Sequence, residues 1–147
     1  MSPRVALGAL VAAAIIGCSS ASTAPAASGD GGAFATEAFA RATSARGLVV
    51  AEVRTAPVQP PTHGVLTVEL TLRDAATSAP LDGLTVDVTP WMTAMGHGSS
   101  VKPTVTSSGQ GRYMATHVDL FMPGRWELRV TLSGAVEDTL APVLDVP

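Results

Sequence analysis

Residues 126–133 read WELRVTLS, and in that stretch Trp126, Leu128, Val130 and Leu132 alternate with Glu127, Arg129, Thr131 and Ser133. A side-chain period of two puts the four apolar groups on one face of an extended strand and the polar groups on the other. Such a strand is half-buried, with one face on a core and the other in water. The pattern recurs upstream. In residues 63–74, HGVLTVELTLRD, the residues Leu66, Val68, Leu70 and Leu72 alternate with Thr67, Glu69, Thr71 and Arg73. Leu84, Val86 and Val88 do the same against Thr85, Asp87 and Thr89. Between these runs lie turn signals rich in Gly, Pro, Asp and Ser: APLDG at 79–83, SGQG at 108–111, Pro123-Gly124 and SGA at 133–135.

Residues 47–55, 101–106, 112–120 and 136–146 complete a set of about seven short strands, with no convincing helix after Gly47. Pro90 has no N–H to give to a ladder, so the strand that contains Val86 and Val88 is expected to end there. In 112–120 the sets Tyr113/Ala115/His117 and Met114/Thr116/Val118 are expected on opposite faces. A two-sheet β-sandwich buries one-sided strands economically, and a small barrel satisfies the same periodicity. The expected class is all-β. Cys18 is the only cysteine, so the Cys-Trp-Cys pattern of antibody-type domains is absent.

The chain begins with Met1-Ser2-Pro3-Arg4, an apolar block over Val5–Ile16, and then Gly17-Cys18-Ser19-Ser20. A positive start followed by an apolar run well short of the roughly 20 residues that span a bilayer reads as a secretory signal. Ile15-Ile16-Gly17-Cys18 resembles the lipobox of bacterial lipoproteins. That resemblance implies cleavage after Gly17 and acylation of Cys18. It also accounts for an unpaired thiol in an exported chain, which otherwise needs an explanation. Ser19 after the cysteine resembles the outer-membrane destination, so the expected location is extracytoplasmic and membrane-anchored, on the periplasmic face of the outer membrane if the cell is Gram-negative. The domain boundaries expected from this reading are 1–17 for the signal peptide, 18–46 for the lipidated cysteine and a flexible tether, and 47–147 for the folded domain. The tether is rich in Ala, Ser, Thr and Gly, and Phe34 and Phe39 are its only large apolar groups, too little for a core. About 100 residues remain for the domain, enough for one core.

Twelve acidic against nine basic residues give a formal net charge of -3, and the loss of Arg4 with the leader makes the balance one unit more acidic. This excludes the clustered basic footprint of a nucleic-acid binder. No G-x-S-x-G elbow or phosphate-binding Gly-rich loop occurs, since SSGQG lacks the Lys-Ser/Thr ending of a P-loop. Glu52, Glu69, Asp87, Asp119 and Glu127 fall largely on polar strand faces, where solvated or cross-strand-paired carboxylates are expected. The chain does not read as an enzyme.

The unusual segments are PWMTAMGHG at 90–98, TVTSSGQGRYMATHV at 104–118 and FMPGRW at 121–126, which hold every methionine after Met1 and two of the three histidines. In order and spacing they resemble the YtkA-like domain, which is related to the exported domain of FixH proteins. The family opening, close to P-x-M-P-x-M-x-H, is matched by Met92, Met95 and His97, with Thr93 where a proline is common. Its later Met-Pro-Gly-x-Trp is matched by Met122, Pro123, Gly124 and Trp126. The resemblance spans about 47–146. It implies an immunoglobulin-like β-sandwich outside the cytoplasm, often on a lipoprotein, and an association with copper or with respiratory metalloenzyme assembly.

Thioethers are soft, uncharged ligands that favour Cu(I) over hard cations, and a neutral imidazole completes such a set without thiolates. The expected metal ligands are Met92, Met95 and His97, with Met114, His117 or Met122 supplying any further contact. Met114 and His117 stand three apart, so they share a face only if a bulge intervenes. Trp91 caps the core, stacks on an aromatic group or lies by a bound cation, with packing favoured. Two functions fit: a lipid-anchored Cu(I) chaperone or storage module with a copper-donor or copper-acceptor protein as partner, and a non-catalytic envelope interaction or scaffold domain without a metal.

Overall fold

The structure is a computed structural model and describes residues 33–147. The leader and Cys18 lie outside the described residues. Ten strands form: β1 (Ala40–Thr43), β2 (Val49–Ala56), β3 (Gly64–Asp74), β4 (Thr85–Met92), β5 (His97–Gly98), β6 (Thr104–Gly109), β7 (Arg112–Leu120), β8 (Gly124–Ser133), β9 (Asp138–Leu140) and β10 (Val143–Val146). They make two antiparallel sheets. One runs β1-β2-β3-β7-β6, and the other runs β10-β8-β4-β5 with β9 also paired to β8. This is the two-sheet, immunoglobulin-like sandwich, not a closed barrel.

Alternation in the sequence becomes alternation in burial. Val49, Ala51 and Val53 of β2, Leu66, Val68, Leu70 and Leu72 of β3, and Tyr113, Ala115, Val118 and Leu120 of β7 supply one inner face. Val86, Val88 and Met92 of β4, with Trp126, Leu128, Val130 and Leu132 of β8, supply the other. Trp126 is fully buried. A fully buried side chain of this class contributes roughly 1.5–3 kcal/mol relative to exposure, so these facing rows carry most of the driving force for folding. Tyr113 ties the core to the β3–β4 connection: its hydroxyl donates to the Leu81 carbonyl at 2.9 Å and accepts from the Leu84 N–H at 3.0 Å.

Four expectations are corrected. The sheet reaches back beyond Gly47. Ala40–Thr43, read as tether, pairs with Val50–Val53 as an edge strand, and Phe39 packs against the core. A short edge strand needs few apolar groups of its own when its backbone is paired, which is why composition alone placed it outside the domain.

Second, β4 continues through Pro90 to Met92. The Pro90 carbonyl accepts from Ser99 N–H at 3.3 Å on the side away from β8. The nitrogen and carbonyl of one strand residue point the same way, so the missing N–H faces the side where β5 is only two residues long.

Third, β7 breaks its period. Leu66 pairs with Val118 and Val68 with Ala115, so Thr116 and His117 together oppose one residue. His117 adopts φ 60° at this bulge. The extra residue turns Val118 and Leu120 into the core and leaves His117 exposed. Fourth, the final strand is interrupted at Ala141-Pro142 into β9 and β10, with Leu128 N–H donating to the Pro142 carbonyl at 2.9 Å across the break.

Candidate metal centre

The β4–β5 hairpin and the β7–β8 connection meet at one end of the sandwich. Met92 closes the hairpin opposite His97, and also pairs with Trp126 of β8. Between Met92 and His97 the chain turns through Thr93, Ala94, Met95 and Gly96. The Met92 carbonyl accepts from the N–H groups of both Met95 (3.2 Å) and Gly96 (3.0 Å). Gly96 has φ +70°, a conformation that Gly reaches without the Cβ penalty of other residues. The loop therefore has a defined shape that projects Met95 outward.

The six expected ligands separate into groups. Met92 lies in the core at 3% exposure. Its thioether packs under Gly124, where a Cβ built on the glycine would meet Met92 Cε at 2.9 Å. Met95 is 56% exposed. His97 is exposed, and its ring stacks on Phe121 at 5.9 Å between centroids and 6° between planes. Phe121 in turn meets the edge of Trp126 at 5.0 Å. Met122 is half-buried against the core, and its carbonyl accepts from Trp126 Nε1–H at 3.0 Å. Thus Met92, Met95, His97 and Met122 belong to one end of the molecule, although Met92 is enclosed.

Met114 does not join them. It pairs with Glu69 and Thr106 within its sheet and points to the outer face. Six residues separate it from Leu120, where β7 reaches this end, a distance of about 20 Å at roughly 3.3 Å per residue. His117 sits closer, on the bulge. The bulge that a joint Met114/His117 site requires is present, but it places His117 in solvent.

His97 Nδ1 lies 3.3 Å from the Gly98 carbonyl. A carbonyl can only accept, so this contact favours the tautomer with a proton on Nδ1. Among the described residues no group of three or more His, Cys, Asp and Glu comes together. Of the carboxylates, Glu52 pairs with Arg41 and Arg54, Glu69 with Arg54, Asp87 with Lys102, and Glu127 with Arg129. What the hairpin itself offers is thioether and imidazole, a soft donor set.

Sequence reasoning missed Phe121 as the platform for His97. The signal was available in FMPG, where an aromatic residue directly precedes a turn. Trp91 also differs from expectation. It points outward from β4, half-buried, beneath the Arg129 guanidinium at 4.1 Å from the ring centroid. The core is closed at this end by Met92 and Trp126 instead, because inward positions on β4 are the even-numbered ones.

A two-sheet antiparallel sandwich with a Met- and His-bearing hairpin at one end defines the class. The chain belongs to the YtkA-like family, whose model matches residues 48–131. Among curated proteins none matches, and among solved structures none does.

Proposed function

We propose that this chain is an extracytoplasmic, lipid-anchored copper-binding protein, a Cu(I) chaperone or storage module that takes the ion at the β4–β5 hairpin. The observation that carries the reading is the pair Met95 and His97: both are exposed in one short hairpin, with His97 Nδ1 turned to the Gly98 carbonyl. These donors fit a soft monovalent ion in kind. Met122, half-buried beside them, is the third donor in this reading, and Met92 serves as the packed base of the loop. An exposed site built from such donors suits an ion that must be handed on, since thioethers hold it weakly and leave it accessible to a copper-accepting protein. Export and acylation at Cys18 rest on the leader sequence.

A second reading, a metal-free interaction domain, is favoured by the apolar exposure at the same end, with Met95 at 56% and Phe121 at 39%. One experiment separates the two. Competition against a calibrated Cu(I) chelator under anaerobic, reducing conditions should show one-to-one binding that weakens at least tenfold in Met95→Leu and in His97→Gln. Met92→Leu should retain it. Absence of Cu(I) binding by the wild-type chain selects the interaction domain, and full affinity in a folded Met95→Leu/His97→Gln variant removes the hairpin as the site.

A further inference from the structure

The outer face of the β1-β2-β3-β7-β6 sheet carries a concentration of charge that the hairpin end does not use. Arg41, Arg54, Arg73 and Arg112 stand there against Glu52 and Glu69, in a chain whose formal net charge is -3. The two carboxylates are already committed. Glu52 binds Arg41 at 2.7 Å and Arg54 at 3.0 Å, and Glu69 lies 3.6 Å from Arg54. Arg54 is saturated further by the Thr36 carbonyl and Thr71 Oγ1, both at 3.3 Å.

Arg73 and Arg112 are left over. Among the described residues neither makes an ion pair, and Arg73 makes a single side-chain hydrogen bond, from a terminal nitrogen to the Ser78 carbonyl at 3.2 Å. Thr71 pairs directly with Arg112 across β3 and β7, and Arg73 follows Thr71 by two residues on the same face. Arg73 thus stands diagonal to Arg112 on the neighbouring strand, and Glu69, at the other diagonal of Arg112, is engaged by Arg54. Both border an open groove of about 490 Å³, closed on one side by Phe34 and Thr36 and on another by Gln110. Gln110 is held at φ 57° in the two-residue β6–β7 turn, a position usually filled by Asn, Asp or Gly. The turn is locked from beneath, since Gly111 N–H donates to Asp82 Oδ1 at 2.7 Å and its carbonyl accepts from Leu72 N–H at 2.7 Å.

We propose that this groove binds a phosphate group through Arg73 and Arg112, with the Gln110 amide as a neutral donor. One carboxylate is satisfied by one guanidinium fork. Two forks and an amide suit an anion with three acceptor oxygens and close to two charges. The groove exceeds what a bare phosphate needs, so the ligand class includes phosphate esters. Free phosphate and the phosphomonoester headgroup of phosphatidic acid share this chemistry.

The test uses the full-length chain in neutral detergent, titrated separately with inorganic phosphate, dihexanoyl-phosphatidic acid and dihexanoyl-phosphatidylcholine, and followed by ³¹P line broadening. At least one phosphate ligand should saturate with the wild type, bind more weakly as salt rises, and lose at least tenfold in affinity in Arg73→Gln/Arg112→Gln. Arg125→Gln, which removes a cation from the other sheet, should bind as wild type does. Saturation by inorganic phosphate identifies the free ion as a source, saturation by phosphatidic acid alone identifies a headgroup, and equal binding of phosphatidylcholine, a diester without net charge, overturns the proposal. A wild type that saturates with none of the three overturns the proposal, as does an Arg125→Gln chain weakened as much as the double variant. Melting curves of each variant exclude loss of binding through unfolding.

Discussion

The ε-methyl of Met92 lies against Gly124 so closely that a Cβ at that glycine would come within 2.9 Å of it. Gly124 also has φ +136°, a backbone conformation that L side chains rarely adopt. The Gly of the Met-Pro-Gly-x-Trp stretch is therefore required by its own backbone, while the Met92 methyl, the far end of a flexible side chain, can shift. Gly124→Ala should lower stability by about 1–3 kcal/mol, the range for a residue held in a sparsely populated backbone conformation. Met92→Leu should change it by less than about 1.5 kcal/mol, because volume and polarity are nearly kept. Urea midpoints of the two variants give the comparison, and an alanine variant as stable as wild type would remove the steric argument.

Tyr113 offers a polar test of the same core. Tyr113→Phe keeps the ring and deletes the hydroxyl that bridges Leu81 and Leu84. The Leu84 N–H is then buried without an acceptor, so the variant should lose about 1–3 kcal/mol. Equilibrium denaturation measures the loss. Hydrogen exchange at Leu84 should quicken more than exchange within β8, and uniform quickening would show that the hydroxyl acts on global stability alone.

The strands were legible because Trp126–Ser133 and Leu66–Arg73 obey one period from end to end. Where that period failed, a local backbone event had intervened. The extra residue at Thr116/His117 cannot be seen in a string whose apolar positions fit two registers, and Pro90 lies in a strand only because of which edge its nitrogen faces. Ala40–Thr43 alternates only small Ala with Arg and Thr, too little apolar bulk to read as a strand, and pairing with β2 supplies what burial does not. At the hairpin end the sequence grouped Met92, Met95 and His97 by chain proximity. It could not show that strand alternation sends Met92 inward while the turn sends Met95 outward. Met114 entered the ligand list by residue type, and its place in the middle of an outer face removes it.

Trp91 tests the alternation on β4 directly. Had it closed the core, truncation would cost something like 3 kcal/mol. On the outer face beneath Arg129 it loses a cation–π contact, of about 0.5–1 kcal/mol at an exposed site, and part of its apolar burial. Trp91→Ala should therefore destabilise by about 1–1.5 kcal/mol, and Arg129→Ala should remove most of the Trp91 contribution when the two are combined in a double-mutant cycle. A loss near 3 kcal/mol that is independent of Arg129 would return Trp91 to the core.

Asp138 makes stability depend on acid. It is 6% exposed at the seam between the sheets, where its Oδ1 accepts from Arg46 N–H at 3.0 Å and Thr139 N–H at 2.8 Å. Burial pushes its carboxyl upward, but the Ser44 hydroxyl and the backbone N–H groups of Arg46, Thr139 and Leu48 pull harder, and the result lies below the ordinary value of 3.8. Oδ2 makes no hydrogen bond of good geometry, so the short contacts to Oδ1 are the firmer part of that pull. A carboxylate depressed in the folded state stabilises the protein at pH values above its unfolded pKa. That contribution is lost as pH falls through the lower, folded value. The denaturation midpoint of the wild type should hold from neutrality to about pH 5 and then decline from about 4 downward. Asp138→Asn removes the titrating group, so its midpoint should begin lower at pH 7 and approach the wild-type curve at about pH 2. Asp74 is also depressed, chiefly by the Thr77 backbone N–H and hydroxyl, so part of the acid slope survives in the Asp138→Asn variant. Midpoint curves that stay parallel from pH 7 to pH 2 would assign the acid loss to carboxylates other than Asp138.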